Sequence, residues 1–245
     1  MKKVLPYPDI ELKLQQLGAG EVFENSYFSI EANKMTTLAK LLSRKVEQGQ
    51  LVRLSKGKYY KPNNTIFGAL APVSQQIIRS VTQKNGKTIG YITGIKAYQE
   101  RRLTTQLPTI IEIAIQGKSK PFKKIGNYQF RFVKRNFPFT DDQVPYLQLL
   151  DALKDIKRIP DAPISETIKT MKIIVQHLTT DEVQIMIELS QYYPPSVRAL
   201  LGAIVQETQL TVILTPLFET LNPFSVYKIG INDSSLKYQK YWKIL

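Results

Sequence analysis

Apolar positions in the first sixty residues change their period twice. In DIELKLQQL (9–17), Ile10, Leu12, Leu14 and Leu17 predict a short helix that Gly18 ends. GAGEVFENSYFS adds a brief extended EVF and a second small helical turn. From Asn33, NKMTTLAKLLSRKVEQG sets Met35, Leu38, Leu42 and Val46 at helical spacing, with Leu41 widening the stripe and Gly49 closing it. LVRL, SKGK and YYKP then read as a strand, a glycine-centred turn and a second strand.

Between residues 63 and 140 the pattern alternates. PVSQQIIRSVTQ and GIKAYQERRL read as helices, KTIGYI as a strand after an NG turn, and PTIIEIAIQ as a β-branched strand. KPFKKIGNYQFRFVKR reads as a hairpin turning at Gly126 and Asn127. Beyond 141 the chain is mostly helical, through DDQVPYLQLLDALKDI, PISETIKTMKIIVQHL, TTDEVQIMIELSQYY and PPSVRALLGAIVQET. Thr179 with Glu182 forms a capping box, and Pro194 and Pro195 open the fourth helix. LTVIL and LNPFSVYKIGI follow, and LKYQKYWKIL is expected to pack through its aromatic rings. The linkers expected are KPNNT (61–65) and NFPFTDD (136–142).

These elements predict an α+β chain: an N-terminal winged helix-turn-helix over 1–62, a small basic α/β region over 63–140 and a mostly helical region over 141–245. Helix, short turn, second helix and hairpin is the winged-helix order, with the last helix placed to enter a major groove. The prolines and charges of MKKVLPYPDIELKL do not suit a signal peptide, and no apolar run approaches the ~18 residues of a membrane span. A cytoplasmic protein without a membrane partner is expected. Zero cysteines remove disulfides, thiolate metal sites and cysteine nucleophiles.

Charge sharpens the picture. The 245 residues hold 34 Lys+Arg and 20 Asp+Glu, a net +14. Residues 1–140 carry 24 basic against 8 acidic side chains, and residues 141–245 carry 10 against 12. A basic front half suits a polyanion, because Lys and Arg neutralise phosphates and release counterions. Solubility alone is the plainer explanation.

On the long helix, Asn33, Lys34, Thr36, Thr37 and Lys40 form a polar face for base edges, while Arg44 with the hairpin's Arg53, Lys56 and Lys58 is placed for phosphates. Tyr59 is expected to pack back onto the helices. An ordinary solvated hairpin is the competing reading. A second basic surface is expected from Lys118, Lys120, Lys123, Lys124, Arg131, Lys134 and Arg135. The interleaved Tyr128, Phe130 and Phe132 either stack on bases or, as their period of two favours, face a core.

Motifs for catalysis fail one by one. Gly117, Lys118 and Ser119 resemble the end of a phosphate-binding loop, but Glu112 stands where its first glycine belongs. Glu112, Ile113 and Ala114 do not supply a nuclease acid-lysine pair. Asp141 and Asp142 sit at a helix start, where carboxylates favour the dipole. The lone His177 ends an apolar helix, an ordinary place for a structural histidine. No catalytic residue, metal ligand or cofactor is expected.

In LAKLLSRKVEQGQLVRLSKGKYYKP, the positions Leu42, Ser43, Arg44, Gly49, Arg53, Leu54, Gly57 and Tyr59 follow a recurrent pattern. A second lies in YYPPSVRALLGAIVQE and LNPFSVYKIGI, at Pro195, Val197, Arg198, Leu200, Leu201, Gly202, Leu221, Asn222, Pro223 and Tyr227. On these two signatures the chain resembles the AbiEi-like abortive-infection antitoxins of type IV toxin-antitoxin systems. Lys45 departs from that pattern, where an apolar residue is usual. The resemblance implies an antitoxin domain over 63–245, autorepression by binding double-stranded operator DNA with inverted repeats, and a nucleotidyltransferase-like toxin counteracted without a stable complex. The alternative is a protein-partner module that binds a toxin or another protein directly, with DNA binding secondary.

Overall fold

The computed structural model describes residues 8–66, 68–84, 86–117, 121–208, 210–231 and 235–245. The chain divides into two compact units. One comprises the residues up to Gly90 together with Phe122–Phe130, and the other Tyr91–Pro121 together with Arg131–Leu245. The boundary expected at 62/63 therefore falls inside the first unit.

In the first unit, α1 (Pro8–Gln16) is followed by β1 (Val22–Glu24) and two 3-10 turns, Asn25–Phe28 and Ala32–Lys34. Next come α2 (Met35–Glu47), β2 (Val52–Ser55) and β3 (Lys58–Tyr60). Of the apolar positions read in the first segment, Ile10, Leu14 and Leu17 pack with Leu38, Leu41 and Leu42 of α2, whereas Leu12 is 57% exposed. Gly49 ends α2 at a φ of +70°, where a β-carbon would be strained. β3 is the middle strand of an antiparallel sheet ordered β1-β3-β2, with Phe23 opposite Tyr59 and Arg53 also opposite Tyr59. Tyr59 packs inward as expected, stacked on Phe23 at 6.0 Å between ring centroids.

The expected linker at 61–65 is instead the start of a hairpin, β4 (Asn63–Thr65) with β5 (Gly68–Leu70). Next, α3 (Ser74–Thr82) buries Ile77 and Val81, and packs beside β1. A small hairpin of β6 (Gln83–Lys84) and β7 (Lys87–Thr88) completes this stretch.

The next elements are β8 (Gly90–Thr93), α4 (Gly94–Glu100), β9 (Ile110–Gln116), β10 (Lys123–Ile125) and β11 (Tyr128–Arg135). In the second unit β11, β9 and β8 are neighbours in that order. β10 pairs with the first part of β11, Ile125 opposite Tyr128, across the expected Gly126-Asn127 turn, and this hairpin counts with the first unit. Of the three alternating rings only Phe130 is fully buried, while Tyr128 and Phe132 are half-buried.

Four helices form the bulk of the second unit: α5 (Val144–Lys154), α6 (Ile164–Gln176), α7 (Thr180–Ser190) and α8 (Pro195–Gln206). They pack α5 on α7 and α8, and α6 on α8, around Leu147, Leu150, Ile168, Met171, Met186, Leu200 and Ile204. The capping box of Thr179 and Glu182 starts α7, and Pro195 is the first residue of α8. α9 (Thr215–Glu219), which the apolar pattern did not announce, packs on α8. Of the C-terminal rings, Trp242 is buried against Gly202 and donates from Nε1 to Gln206 at 2.6 Å, whereas Tyr241 is 57% exposed. The architecture is α+β, and no described helix is long and apolar enough to cross a membrane.

Candidate nucleic-acid interface

α2 has two unlike sides, because three leucines at positions 38, 41 and 42 leave the opposite side to polar residues. Thr36, Thr37, Lys40, Ser43 and Arg44 are exposed there, at the three- and four-residue spacing that keeps side chains on one helix face. Asn33 is exposed one turn earlier, in the 3-10 segment rather than in the helix. Lys34 shares that segment and reaches Glu31 at 3.1 Å, an exposed pair of little energetic weight. Lys45 lies off this face: its ammonium meets Glu11 of α1 at 2.6 Å. That pair accounts for a lysine at a position where an apolar residue was expected, since its methylenes can cover the core edge.

The hairpin after α2 turns through Lys56 and Gly57, with Gly57 at a φ of +73°, a conformation in which a side chain is disfavoured. Arg53 on β2 and Lys56 in the turn are exposed. Lys58 is not, and its expected place among the phosphate contacts is corrected. Its side chain is 2% exposed, ion-paired with Glu24 of β1 and bonded to the Ser80 carbonyl of α3. The physical reason is its position on the central strand: β1 and β2 flank it, and α3 packs beside β1. Lys61 is turned away too, donating to the carbonyls of Gln15 (3.3 Å) and Leu17 (3.1 Å) at the end of α1, where a cation suits the helix dipole.

The residues expected to form a second basic surface fall in both units. Lys118 and Lys120 lie outside the described residues. Lys123, half-buried, and Lys124, exposed, sit on β10 in the first unit, whereas Arg131 and Lys134 are exposed in the second. Arg131 pairs with Glu112 at 3.1 Å. Arg135 is corrected outright, because it is buried in the second unit and ion-paired with Asp151.

Around Asp151 the packing is closed. Arg135 and the Tyr193 hydroxyl (2.8 Å) donate to one carboxylate oxygen; Tyr91 (3.0 Å) and Thr93 (2.6 Å) donate to the other. Burial, then the neighbouring Asp151 charge, pushes both tyrosine hydroxyls up from their ordinary pKa. Burial pulls the Arg135 guanidinium down, but Asp151 and the two tyrosines outweigh it and hold the pKa above its ordinary value. With both oxygens doubly bonded, the carboxylate has its hydrogen-bonding capacity taken up by the scaffold. The one sequence signal for this cluster was an aspartate in the middle of an apolar helix.

A sequence family described only as a family of unknown function, DUF6088, matches residues 9–180. The chain belongs to that family. No curated protein matches it. Among solved structures, that of the RV2827C protein from Mycobacterium tuberculosis superposes with a TM-score of 0.57 at 10% sequence identity. The match covers 96% of this chain and 88% of that one, a likeness of fold alone.

The stretch matched in this DUF6088 protein includes α2, the β2–β3 hairpin and the β10–β11 hairpin. The exposed hydroxyls and cations of α2 and β2, with the Asn33 amide just before α2, can hydrogen-bond and meet anions.

Proposed function

We propose that this chain is a DNA-binding autorepressor and the antitoxin of a type IV toxin-antitoxin pair, acting in the cytoplasm. In this reading the first unit is a winged helix-turn-helix: α1, the Asn25–Phe28 turn and α2 are its three helices, and β2–β3 is its wing. One observation carries the reading. Thr36, Thr37, Lys40 and Arg44 stand exposed on α2 while Leu38, Leu41 and Leu42 seal its other side, and the hairpin that follows exposes Arg53 and Lys56. Threonine methyls can meet thymine, an asparagine such as Asn33 can pair with adenine, and Lys34 and Lys40 can reach guanine edges. Arg44, Arg53 and Lys56 take the phosphates. An operator of inverted repeats about 34 Å apart would hold two copies. The antitoxin half rests on the sequence resemblance, which implies a nucleotidyltransferase-like toxin counteracted without a stable complex.

The test is binding to DNA from upstream of the protein's own reading frame. Thr36→Ala with Thr37→Ala is expected to reduce discrimination between that DNA and unrelated duplex. Lys56→Ala is expected to weaken binding to both and flatten the salt dependence by about 0.9 in log-log slope. A footprint with no protected segment overturns the proposal.

A second reading, a module that binds a protein partner directly, draws on the second unit, where Phe224 is 95% exposed and Ile213 and Val226 are also open. A stable, salt-resistant complex with the neighbouring gene's product, together with no operator protection, would favour it.

A further inference from the structure

Phe122–Phe130, which holds β10, its turn and the start of β11, comes from the middle of the chain yet groups with the first unit. Ile125 and Phe130 are fully buried. Its turn lies against the wing strand: a β-carbon at Gly126 would sit 3.6 Å from Leu54 Cδ2, and β10 packs beside β2. Lys124, opposite Gln129, is exposed, and Lys123 is half-buried. The segment PFKKIGNYQF contains no acid, and neither lysine is ion-paired among the described residues. Arg53 and Lys56 are exposed on β2 and on the turn beyond it.

We propose that this hairpin is a second wing, with Lys124 and Lys123 on backbone phosphates of the same duplex that α2 reads, next to those met by Arg53 and Lys56. The inference rests on the DNA-binding reading above. A B-form minor groove is roughly 6 Å wide, and the duplex carries a charge every ~1.7 Å of its axis. A hairpin that packs beside β2 is therefore set to address the adjoining stretch of backbone. The competing use of such lysines is to guard an exposed strand edge against pairing, and that use needs no DNA.

The experiment measures fluorescence anisotropy of a labelled duplex from upstream of the reading frame against the full chain across a salt series. Lys56→Ala serves as the reference variant. Lys123→Ala with Lys124→Ala is expected to lower the log-log salt slope by about 1.8, and Lys124→Ala alone by about 0.9. Because Lys123 is half-buried, Lys123→Gln with Lys124→Gln is run beside them to keep the packing while removing both charges, with the same expected loss. If Lys56→Ala flattens the slope and the hairpin variants leave it unchanged, the hairpin is a solvated edge and the second wing is overturned while the DNA reading stands. If the parent chain shows no salt-dependent binding, both fall.

Discussion

Lys58 is bonded to Glu24, so the lysine beside the β2–β3 turn ties β3 to β1 instead of facing solvent. Lys58 and Lys56 therefore separate two properties that the sequence places side by side. Lys58→Met removes the charge but keeps the volume. It leaves the Ser80 carbonyl without this donor, while Glu24, 44% exposed, stays wet. A loss of about 1–3 kcal/mol is expected, smaller than for a fully buried pair. Chemical denaturation measures it, and on the proposed DNA-binding reading the salt slope for the folded variant should match that of the parent. Lys56→Ala should do the reverse, with stability within about 0.5 kcal/mol. A Lys58→Met variant of parental stability would show that the ion pair contributes nothing.

Asp151 is the polar centre of the second unit, held by Arg135, Tyr91, Thr93 and Tyr193. Asp151→Asn presents an amide to groups that all donate and leaves Arg135 charged and unpaired, at an expected cost of about 3–5 kcal/mol. Replacing Arg135 by Met in the same chain should recover part of that loss, because a neutral pair no longer strands a charge. Urea unfolding of the two variants checks the order. A double variant less stable than Asp151→Asn would contradict this account.

Legibility followed sequence distance. α2, the Gly126-Asn127 turn and the Thr179–Glu182 capping box were readable because each is decided by residues within a few positions. Lys58 was misplaced because its burial depends on β1, more than thirty residues upstream, occupying the other side of β3. A period-two pattern cannot separate a central strand from an edge strand when the partner is remote. Arg135 was misplaced for the same reason, since its partner Asp151 lies on a helix that the strand pattern does not mention. The grouping of Phe122–Phe130 with the first unit also depends on a contact, Gly126 with Leu54, that no local pattern encodes.

Gly202 lets Trp242 lie against α8. A β-carbon there would sit 2.3 Å from the indole ring, so the ring or the helix would have to move. Alanine ordinarily gains up to about 1 kcal/mol over glycine inside a helix, but overpacking costs roughly 1–3 kcal/mol. Gly202→Ala is therefore expected to destabilise. In a Trp242→Leu background, itself destabilised by the lost ring, the same substitution should become neutral or favourable. Thermal melting of the four proteins of this cycle shows whether the sign inverts, and an unchanged penalty without the indole would remove the clash as its cause.

Glu182 links the start of α7 to pH. Its carboxylate accepts from the Thr179 backbone N–H (2.8 Å), the Tyr146 hydroxyl (3.0 Å) and the Thr179 hydroxyl (3.0 Å), and these bonds hold its pKa below the ordinary value of 4.5. Because the folded value is the lower one, the charged carboxylate contributes stability that is fully present above about 4.5. That contribution is lost as the pH falls through the folded value. Glu182→Gln can keep the capping geometry, since glutamine also serves at this position, but it does not titrate. The advantage of the parent over Glu182→Gln in melting temperature should accordingly be present at about pH 7 and shrink as the pH falls below about 4.5. A constant offset across that range would mean that the carboxylate's charge plays no part in starting the helix.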